Sequence, residues 1–407
     1  MSNLGNSDAK TKKSPSSDEG SSDNNVVRWG IVGLGDVTSV KSGPPFWKCN
    51  GSTLVAVMRR TPGAAQKWVG SNLPSNLRSS VTAYDDIHNF LEHPDLDAVY
   101  VATPPESHLD ISQRVAKAGK FCYVEKPAGR CGWETQEIID SFHNEQQGKK
   151  EGKNMLYTAY VSRAYERTDT IQTLLKEGAI GDKVTSVQYR LKGMGGARGM
   201  DDDNDAVPWR LDARKSGGGL IMDVGCHVID RIDYLFGPLK DVKGGAKRRC
   251  GSRLKLKVAE VEDYVSLSAT IGSCEWSVID SAGASVDCIW DFGYEDEDPA
   301  SPMDELIISG PNGSLKMAAM SPSLPIYVLD TNEAVIKTFT FEQPEHTAQR
   351  LVQLVTNEIS GAKENTAPSR GENALRTSKV LDTVLAGYYD GRDDAFWERP
   401  DTWPGRH

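Results

Sequence analysis

The sequence lacks the features of membrane-bound and secreted proteins. Residues 1–25 contain no apolar core of a signal peptide, and no later apolar run is long enough to cross a bilayer. The seven cysteines form no CxxC pair and no short regular spacing, which favours reduced thiols over a disulfide framework. We therefore expect a cytoplasmic protein with no membrane partner.

An excess of positive charge is also lacking, because 57 Asp and Glu outnumber 47 Lys and Arg and give a net charge of −10. This balance argues against nucleic acid as a partner, although it leaves room for a local basic pocket. Residues 1–25 have no aromatic side chain, no β-branched aliphatic side chain and a single Leu, so we predict that they are disordered. The 407-residue length suits two domains, which we place at 26–150 and 151–407.

From Val26 onwards, short apolar runs alternate with helical patterns. This alternation predicts an N-terminal Rossmann domain, which is a doubly wound parallel sheet with helices on both faces. The strands are predicted at 26–32, 53–58, 81–83, 98–103, 121–124 and 155–159.

After residue 150 the rhythm changes to consecutive strands with short turns. This pattern predicts an α/β domain with a large, mostly antiparallel open sheet, and late helices at 346–359 and 372–388. Its strands are predicted at 184–192, 261–270, 274–280, 285–290, 304–309, 314–318, 326–329 and 334–341.

A glycine-rich turn follows the first strand. Gly33 and Gly35 let the chain turn tightly and let backbone N–H groups approach a pyrophosphate, and Thr38 stands where the full GxGxxG fingerprint has its third glycine. We predict that this turn, including Asp36 and Val37, binds a dinucleotide. A plain glycine turn is the alternative. The Gly-Pro-Pro segment at 43–45 predicts that the first helix is broken or delayed.

The end of the second strand indicates which dinucleotide is bound. NAD-selective sites place an acid about 20 residues after the glycine turn, against the ribose 2′-hydroxyl. Here the strand ends in Arg59 and Arg60, which can pair with a 2′-phosphate. We predict that NADP(H) is preferred and that NAD(H) is the other option. The alternative is that both arginines are surface residues.

The fourth strand ends in Thr103 and Pro104, with His108 close behind. A loop at this place in a doubly wound sheet lies over the nicotinamide, so we assign these three residues to the cofactor pocket. The alternative is that the loop only caps the next helix.

Two further stretches contain chemically active side chains. The run FCYVEKP at 121–127 delivers Glu125 and Lys126 at the end of the fifth strand, where ligands bind in such sheets. Asp223 and His227 are one turn apart on a helix after three glycines, and Asp230 is predicted on the same face. The alternatives are a surface lysine and a structural histidine.

The order of GxGxxT, ATPP, EKP and GGGxxxDxGxH resembles the Gfo/Idh/MocA-type family of NAD(P)-dependent sugar and cyclitol oxidoreductases, which includes glucose-fructose oxidoreductase and inositol dehydrogenase. The resemblance spans about 26–389 and implies that Lys126 is catalytic, with Asp223 and His227 as its partners at the substrate. It also implies a homo-oligomer, a dimer or tetramer, formed through the C-terminal sheet. Either His227 or Lys126 can move the proton. Candidates for the substrate wall are Tyr160, Arg163, Trp209 and Arg210, and the alternative for Tyr160 is an aromatic residue of the core.

These observations predict hydride transfer between the nicotinamide and a carbinol or carbonyl carbon of a polyhydroxylated small molecule. Two alternatives stay open, namely an NAD(P)-dependent glycoside-cleaving enzyme of the same fold and an NADP(H)-binding protein without turnover. We predict no metal site, because the acidic run at 201–205 lacks the central Gly and closing Glu of a calcium loop.

Overall fold

The computed structural model describes residues 26–146, 155–193, 207–248, 260–293, 303–393 and 395–406. The predicted disordered tail and the acidic runs at 201–205 and 295–298 lie outside these residues.

The first sheet has six strands, all paired in parallel, with helices between them. Its strands are β1 (Val27–Val32), β2 (Ser52–Met58), β3 (Thr82–Tyr84), β4 (Ala98–Val101), β5 (Phe121–Val124) and β6 (Leu156–Thr158). The helices are α1 (Pro45–Lys48), α2 (Ala64–Asn72), α3 (Ile87–Leu91), α4 (His108–Lys117) and α5 (Gly132–Gln146). In the order β3-β2-β1-β4-β5-β6, successive strands are added on one side of β1 as far as β3 and on its other side from β4 onwards. This switch between β1 and β4 creates the crevice where doubly wound sheets bind ligands. Because β6 pairs with β5, this sheet extends past residue 150.

The second sheet has eight strands in the order β14-β13-β12-β11-β7-β10-β9-β8, and only its β7–β10 pairing is parallel. Its strands are β7 (Ser186–Lys192), β8 (Leu239–Lys247), β9 (Tyr264–Ile271), β10 (Ser285–Asp291), β11 (Met303–Gly310), β12 (Gly313–Met317), β13 (Ile326–Leu329) and β14 (Val335–Phe339). The helices are α6 (Glu166–Lys176), α7 (Ala213–Ser216), α8 (Cys226–Phe236), α9 (Gln349–Ile359) and α10 (Gly371–Tyr389). The two sheets together confirm the predicted fold class.

Two predictions about the second sheet are wrong. The segment 274–280 is not a strand, because its side chains bind the end of α8: Trp276 Nε1 donates to the Asp233 carbonyl and Ser277 Oγ to the Leu235 carbonyl. The edge strand β8 is absent from the prediction, because Gly244, Gly245 and several lysines hide its strand pattern.

The late helix α9 packs on the core of the first sheet and not on the second. Leu351, Val352 and Val355 are buried in the same apolar cluster as Trp29 and Tyr123 of the first sheet. This packing brings the segment before α9 to the crevice of the first sheet. In the described part of the chain, no helix combines the length and apolarity needed to span a membrane.

Candidate active site

Lys126 lies directly beyond the carboxyl end of β5. Cys122, Tyr123 and Val124 are buried in the sheet, so the chain leaves the core at Glu125 and presents Lys126 to the crevice, followed by a cis Lys126–Pro127 peptide bond. The Lys126 ammonium donates to Asp223 at two atoms, to Oδ1 at 2.5 Å and to the backbone carbonyl at 2.9 Å. The lysine predicted from β5 and the aspartate predicted from the helix therefore meet.

A glycine turn sets the position of Asp223. Gly217 has φ = +83°, and a Cβ there would collide with the Arg130 backbone, so glycine is required. The chain then enters a π-helical turn, Ile221–Gly225, which runs into α8. A π turn adds a residue to the helical repeat, and such turns are frequent at functional sites.

Arg210 holds the other oxygen of Asp223. Its Nε lies 3.0 Å from Asp223 Oδ2, and its guanidinium stacks on the Trp209 ring at 4.2 Å from the ring centroid. Burial opposes ionisation of Asp223, but Lys126 and Arg210 outweigh it and hold the pKa of that carboxyl well below its usual range. Burial likewise opposes the charge of Lys126, yet the Asp223 carboxylate raises the lysine pKa above its ordinary value. Two cations thus share one carboxylate, and Lys126 is a protonated donor.

His227 lies one turn after Asp223 and lines the same cleft. Burial, and then the charge of Lys126, hold the pKa of His227 well below its ordinary value. The imidazole is therefore neutral at physiological pH and able to accept a proton. Its ring and that of Tyr160 form a T-shaped contact, with a centroid distance of 6.1 Å and an angle of 89° between the ring planes.

The glycine turn after β1 forms the other side of the cleft. Gly33 has φ = +94°, and a Cβ on it would lie 2.8 Å from the Ala102 carbonyl and from the Thr103 side chain, so the turn packs directly against the end of β4. In contrast, a Cβ on Gly35 would have no atom within 4 Å, which leaves open space over the turn. The Thr38 hydroxyl donates to the Gly35 carbonyl at 2.8 Å and holds the turn closed.

The chain after this turn forms a π-helical turn, Val37–Lys41, before α1, so the predicted break in the first helix is confirmed. Asp36 and Val37 line the cleft. At the end of β2, Arg59 and Arg60 are exposed, and Arg59 Nη1 donates to the Leu34 carbonyl of the glycine turn at 3.1 Å.

The loop after β4 contributes Thr103 to the lining of the cleft. Pro104 is the N-cap residue of the short 3-10 turn Pro105–Ser107. His108 has a different position from the predicted one. It is fully buried, and its ring nitrogens lie 2.7 Å from the Thr103 carbonyl and 3.0 Å from the Pro127 carbonyl. His108 therefore joins the β4 and β5 loops and does not line the cleft.

Glu125 lines the cleft beside Lys126 and belongs to a buried hydrogen-bond chain. The Tyr100 hydroxyl lies 2.5 Å from Glu125 Oε1 and 2.7 Å from the Ser42 hydroxyl. Burial raises the pKa of Glu125 above its ordinary value. The chain ties the end of β5 to the segment after the glycine turn.

The structure does not support Tyr160 and Arg163 as parts of the substrate wall. Tyr160 is fully buried behind His227. Arg163 is 5% exposed and makes a bidentate ion pair with Asp230, at 2.9 and 2.8 Å. Asp230 accordingly points away from the cleft, because the π turn shifts the helix face, and Arg231 lines the cleft in its place.

The assembled cleft has a volume of about 840 Å³ and lies between the two sheets. Sequence reasoning did not identify three of its lining features: Tyr165, Arg231 and the segment 343–348 before α9. The segment 343–348 contacts the chain between β1 and β2 through exposed polar pairs. His346 Nδ1 lies 3.1 Å from the Val40 carbonyl, and Lys48 Nζ lies 2.5 Å from Glu345 Oε1.

A buried contact also joins the part of the molecule that contains the first sheet to the part that contains the second sheet. Arg392, after α10, donates to the carbonyls of Gly217 and Arg130 and, at 2.8 Å, to Asp382. It thereby links the turn before Asp223 to the loop after Lys126. Within the described ranges, no group of three or more His, Cys, Asp or Glu side chains is arranged to hold a metal ion.

Two protein-family models match the chain. Residues 27–147 match the model described as oxidoreductase family, NAD-binding Rossmann fold, and residues 168–316 match the model described as GFO/IDH/MocA C-terminal domain. An oxidoreductase of Formosa agariphila is 28% identical over 357 residues, which cover 88% of this chain and 97% of the relative. An inositol 2-dehydrogenase/D-chiro-inositol 3-dehydrogenase of Lactiplantibacillus plantarum is 27% identical over 51% of this chain and 52% of its own length.

Solved structures share the fold at lower identity. An aldose-aldose oxidoreductase from Caulobacter crescentus, complexed with glycerol, has a TM-score of 0.67 at 22% identity and covers 88% of this chain and 95% of its own. A levoglucosan dehydrogenase in complex with NADH has a TM-score of 0.67 at 18% identity, with the same coverage of both chains. A variant of a 3-ketoreductase from Actinomadura kijaniata in complex with NADP has a TM-score of 0.66 at 17% identity, covering 89% and 99%.

Proposed function

Because this chain belongs to the Gfo/Idh/MocA family of NAD(P)-dependent oxidoreductases, we propose that it transfers a hydride between NADP(H) and a carbinol or carbonyl carbon of a sugar, cyclitol or similar polyhydroxylated molecule. The observation that carries the proposal is the meeting of Lys126, Asp223 and His227 in one cleft that opens onto the glycine turn of a doubly wound sheet. The names of relatives, an inositol dehydrogenase and a levoglucosan dehydrogenase, support the substrate class.

The residues around the glycine turn fit a dinucleotide. The open space over Gly35, where a Cβ would have no atom within 4 Å, provides room for a pyrophosphate next to backbone N–H groups. Arg59 is exposed and donates to the Leu34 carbonyl of the turn, and we propose that it pairs with a 2′-phosphate, which favours NADP(H) over NAD(H). When bound, the nicotinamide would supply the hydride acceptor or donor, and Thr103 and Glu125, which line the cleft, would help to hold it.

We assign the proton step to His227. Its depressed pKa keeps the imidazole neutral, so a ring nitrogen can accept the hydroxyl proton as the carbinol is oxidised. Lys126 has the opposite role, because its raised pKa keeps it protonated, and its ammonium donates a hydrogen bond to the same oxygen. Asp223 and Arg210 hold Lys126 in place, and Trp209 with Arg210 forms one wall of the substrate site.

A substrate panel tests the proposal. The protein is incubated with NADP or NAD and with sugars, inositols or trans-dihydrodiols, and the absorbance of the reduced cofactor is followed. Cofactor reduction by at least one polyol, faster with NADP than with NAD, is expected. Cleavage of a glycoside without net cofactor conversion would replace this proposal with the glycoside-cleaving alternative. Binding of NADP(H) with no turnover of any panel member or glycoside would indicate the non-catalytic alternative.

We further propose a dimer or tetramer formed through the second sheet. Burial alternates along its central strands β7 and β10, so one face is packed against helices and the other is more accessible. Light scattering coupled to size exclusion measures the mass in solution, and a 44.5 kDa monomer at all concentrations would refute the oligomer.

A further inference from the structure

Arg231, which lines the cleft, and Arg167, which interacts with it electrostatically, are two buried cations that the proposed chemistry does not use. Arg231 follows His227 by one helical turn, lines the cleft and is 4% exposed. Arg167, on α6, is 2% exposed. Burial, and then repulsion by Arg231, lowers the pKa of Arg167 to about 10, so its guanidinium group is still charged at neutral pH. Burial also lowers the pKa of Arg231, and arginine side chains in proteins stay protonated.

These charges lack a carboxylate partner among the described residues. Within the described part of the chain, Arg231 donates only to the Ala319 carbonyl, at 2.6 Å from its Nη1, and its buried Nε has no acceptor there. Arg167 donates to the carbonyls of Ala318 and Ser321, and its buried Nε has no acceptor either. In the described ranges, no Asp or Glu oxygen forms an ion pair with either arginine.

The acid that acts on both arginines is engaged elsewhere. Asp304 acts electrostatically on both arginines, but its oxygens accept hydrogen bonds from the Tyr189 hydroxyl and from the backbone N–H groups of Ala319 and Met320. Asp230 also acts electrostatically on Arg231, but its two oxygens accept hydrogen bonds from Arg163. Both carboxylates are thus engaged by other groups. On the other side of His227, Lys126 and Arg210 lie beside Asp223 and beside Glu125, whose pKa is raised by burial.

Leaving a buried charge without an ion-pair partner is costly, so an arrangement that retains one such cation at a cleft and a second beside it indicates an anionic ligand. The free Nε edge of Arg231 is the side of a guanidinium that binds carboxylates in a two-pronged fashion. Because Arg231 is four residues after His227, the two side chains are about 6 Å apart along the helix axis. One sugar ring can therefore offer a hydroxyl to His227 and an acidic group to Arg231.

We propose that the cleft takes an acidic sugar, a uronate or a related sugar acid, whose carboxylate is bound by Arg231 with Arg167 behind it. This inference rests on the proposed function for the position of the reacting hydroxyl. It specifies the substrate beyond a neutral polyol.

The test compares a hexuronate with its carboxamide, which has nearly the same shape and no charge, on the NADP-loaded protein. Turnover is read from NADPH absorbance, and affinity is read separately by calorimetry. Because an Arg-to-carboxylate bond is a charge-assisted hydrogen bond, we expect the acid to be preferred by about 10–100-fold. Arg231→Gln should abolish most of this preference, Arg231→Lys should retain part of it, and the exposed Arg114→Gln should leave it unchanged.

The ratio of acid to amide is taken within each variant, so partial loss of folded protein cancels. Equal affinity for the acid and the amide, or an unchanged ratio in Arg231→Gln, overturns the anion site even if neutral sugars are oxidised. Acid binding that depends on Arg231 without any turnover supports the site and contradicts the proposed hydride transfer. Preference for a sugar phosphate or sulfate over the uronate, with the same dependence on Arg231, would overturn the carboxylate assignment.

Discussion

Lys126→Met removes the positive charge at the centre of the cleft while Asp223 keeps a second partner. Arg210 Nε remains 3.0 Å from Asp223 Oδ2, so the carboxylate is not orphaned, and the loss of stability should stay below the ~3–5 kcal/mol typical of breaking a buried pair. Losing a donor to an oxygen that develops charge costs about 10²–10³ in kcat. We therefore expect kcat to fall by that factor with the affinity for NADPH nearly unchanged, because the Lys126 ammonium is held by Asp223 and not by the glycine turn.

The same variant makes a second, independent prediction for His227. Burial is the first cause of its depressed pKa and the charge of Lys126 is the second, so removing that charge should raise the pKa of His227. His227 serves as a base only when neutral, and this form is lost as pH falls through the pKa. The acidic limb of the residual kcat profile should therefore move to higher pH.

Steady-state kinetics on the best substrate of the panel, from pH 5 to 9, measures both effects, and fluorescence titration gives the NADPH affinity. Lys67→Met, an exposed lysine on α2, is the matched control and should behave as the unmodified protein. A turnover within a few-fold of that control would refute the role of Lys126. An acidic limb that stays in place or moves to lower pH would refute the assignment of His227 as the base.

Three further predictions concern the cofactor side and the core. Arg59→Ala should weaken NADP binding by about tenfold with little change in NAD binding, since a charge-assisted pair with the 2′-phosphate is lost. Equal losses of affinity for NADP and NAD, measured by calorimetry, would contradict NADP selectivity. Gly33→Ala should lower both the melting temperature and the NADPH affinity, because the φ of Gly33 is +94°. Gly35→Ala should lower only the NADPH affinity, and a melting temperature equally reduced in both variants would contradict the open space over Gly35. Arg163→Met leaves Asp230 buried without its ion-pair partner, so the free energy of unfolding measured in urea titrations should fall by ~3–5 kcal/mol. An altered KM with an unchanged free energy of unfolding would instead return Arg163 to the substrate wall.

Much of the fold is encoded locally and could be predicted. Alternation of strands and helices specified the first sheet, and the position of FCYVEKP at a strand end was enough to predict where Lys126 emerges. The segment 274–280 shows the limit. Its apolar and polar residues alternate like those of a strand, but the side chains of Trp276 and Ser277 are used by the end of α8, a partner distant in the sequence.

The candidate site was predictable where it depends on helical spacing and not where the helix departs from regularity. Asp223 and His227 lie one turn apart and face the cleft as expected. The π turn at Ile221–Gly225 shifts the helix face, so that Arg231 lines the cleft where Asp230 was expected and Asp230 points away from it. The partner of Arg163 follows from that shift, so no pattern within 160–165 could have revealed it.

Arg392 has a consequence for motion. It joins the turn before Asp223 to the loop after Lys126 from a side chain that is 1% exposed, whereas Lys48 and Glu345, which also join the two parts, are 38% and 70% exposed. Ionic strength screens exposed pairs strongly and buried ones weakly. Salt should therefore loosen the cleft at the contact of 343–348 with α1 while the distance between Lys126 and Asp223 is preserved, so substrate entry can become faster without disturbing the geometry of the chemistry.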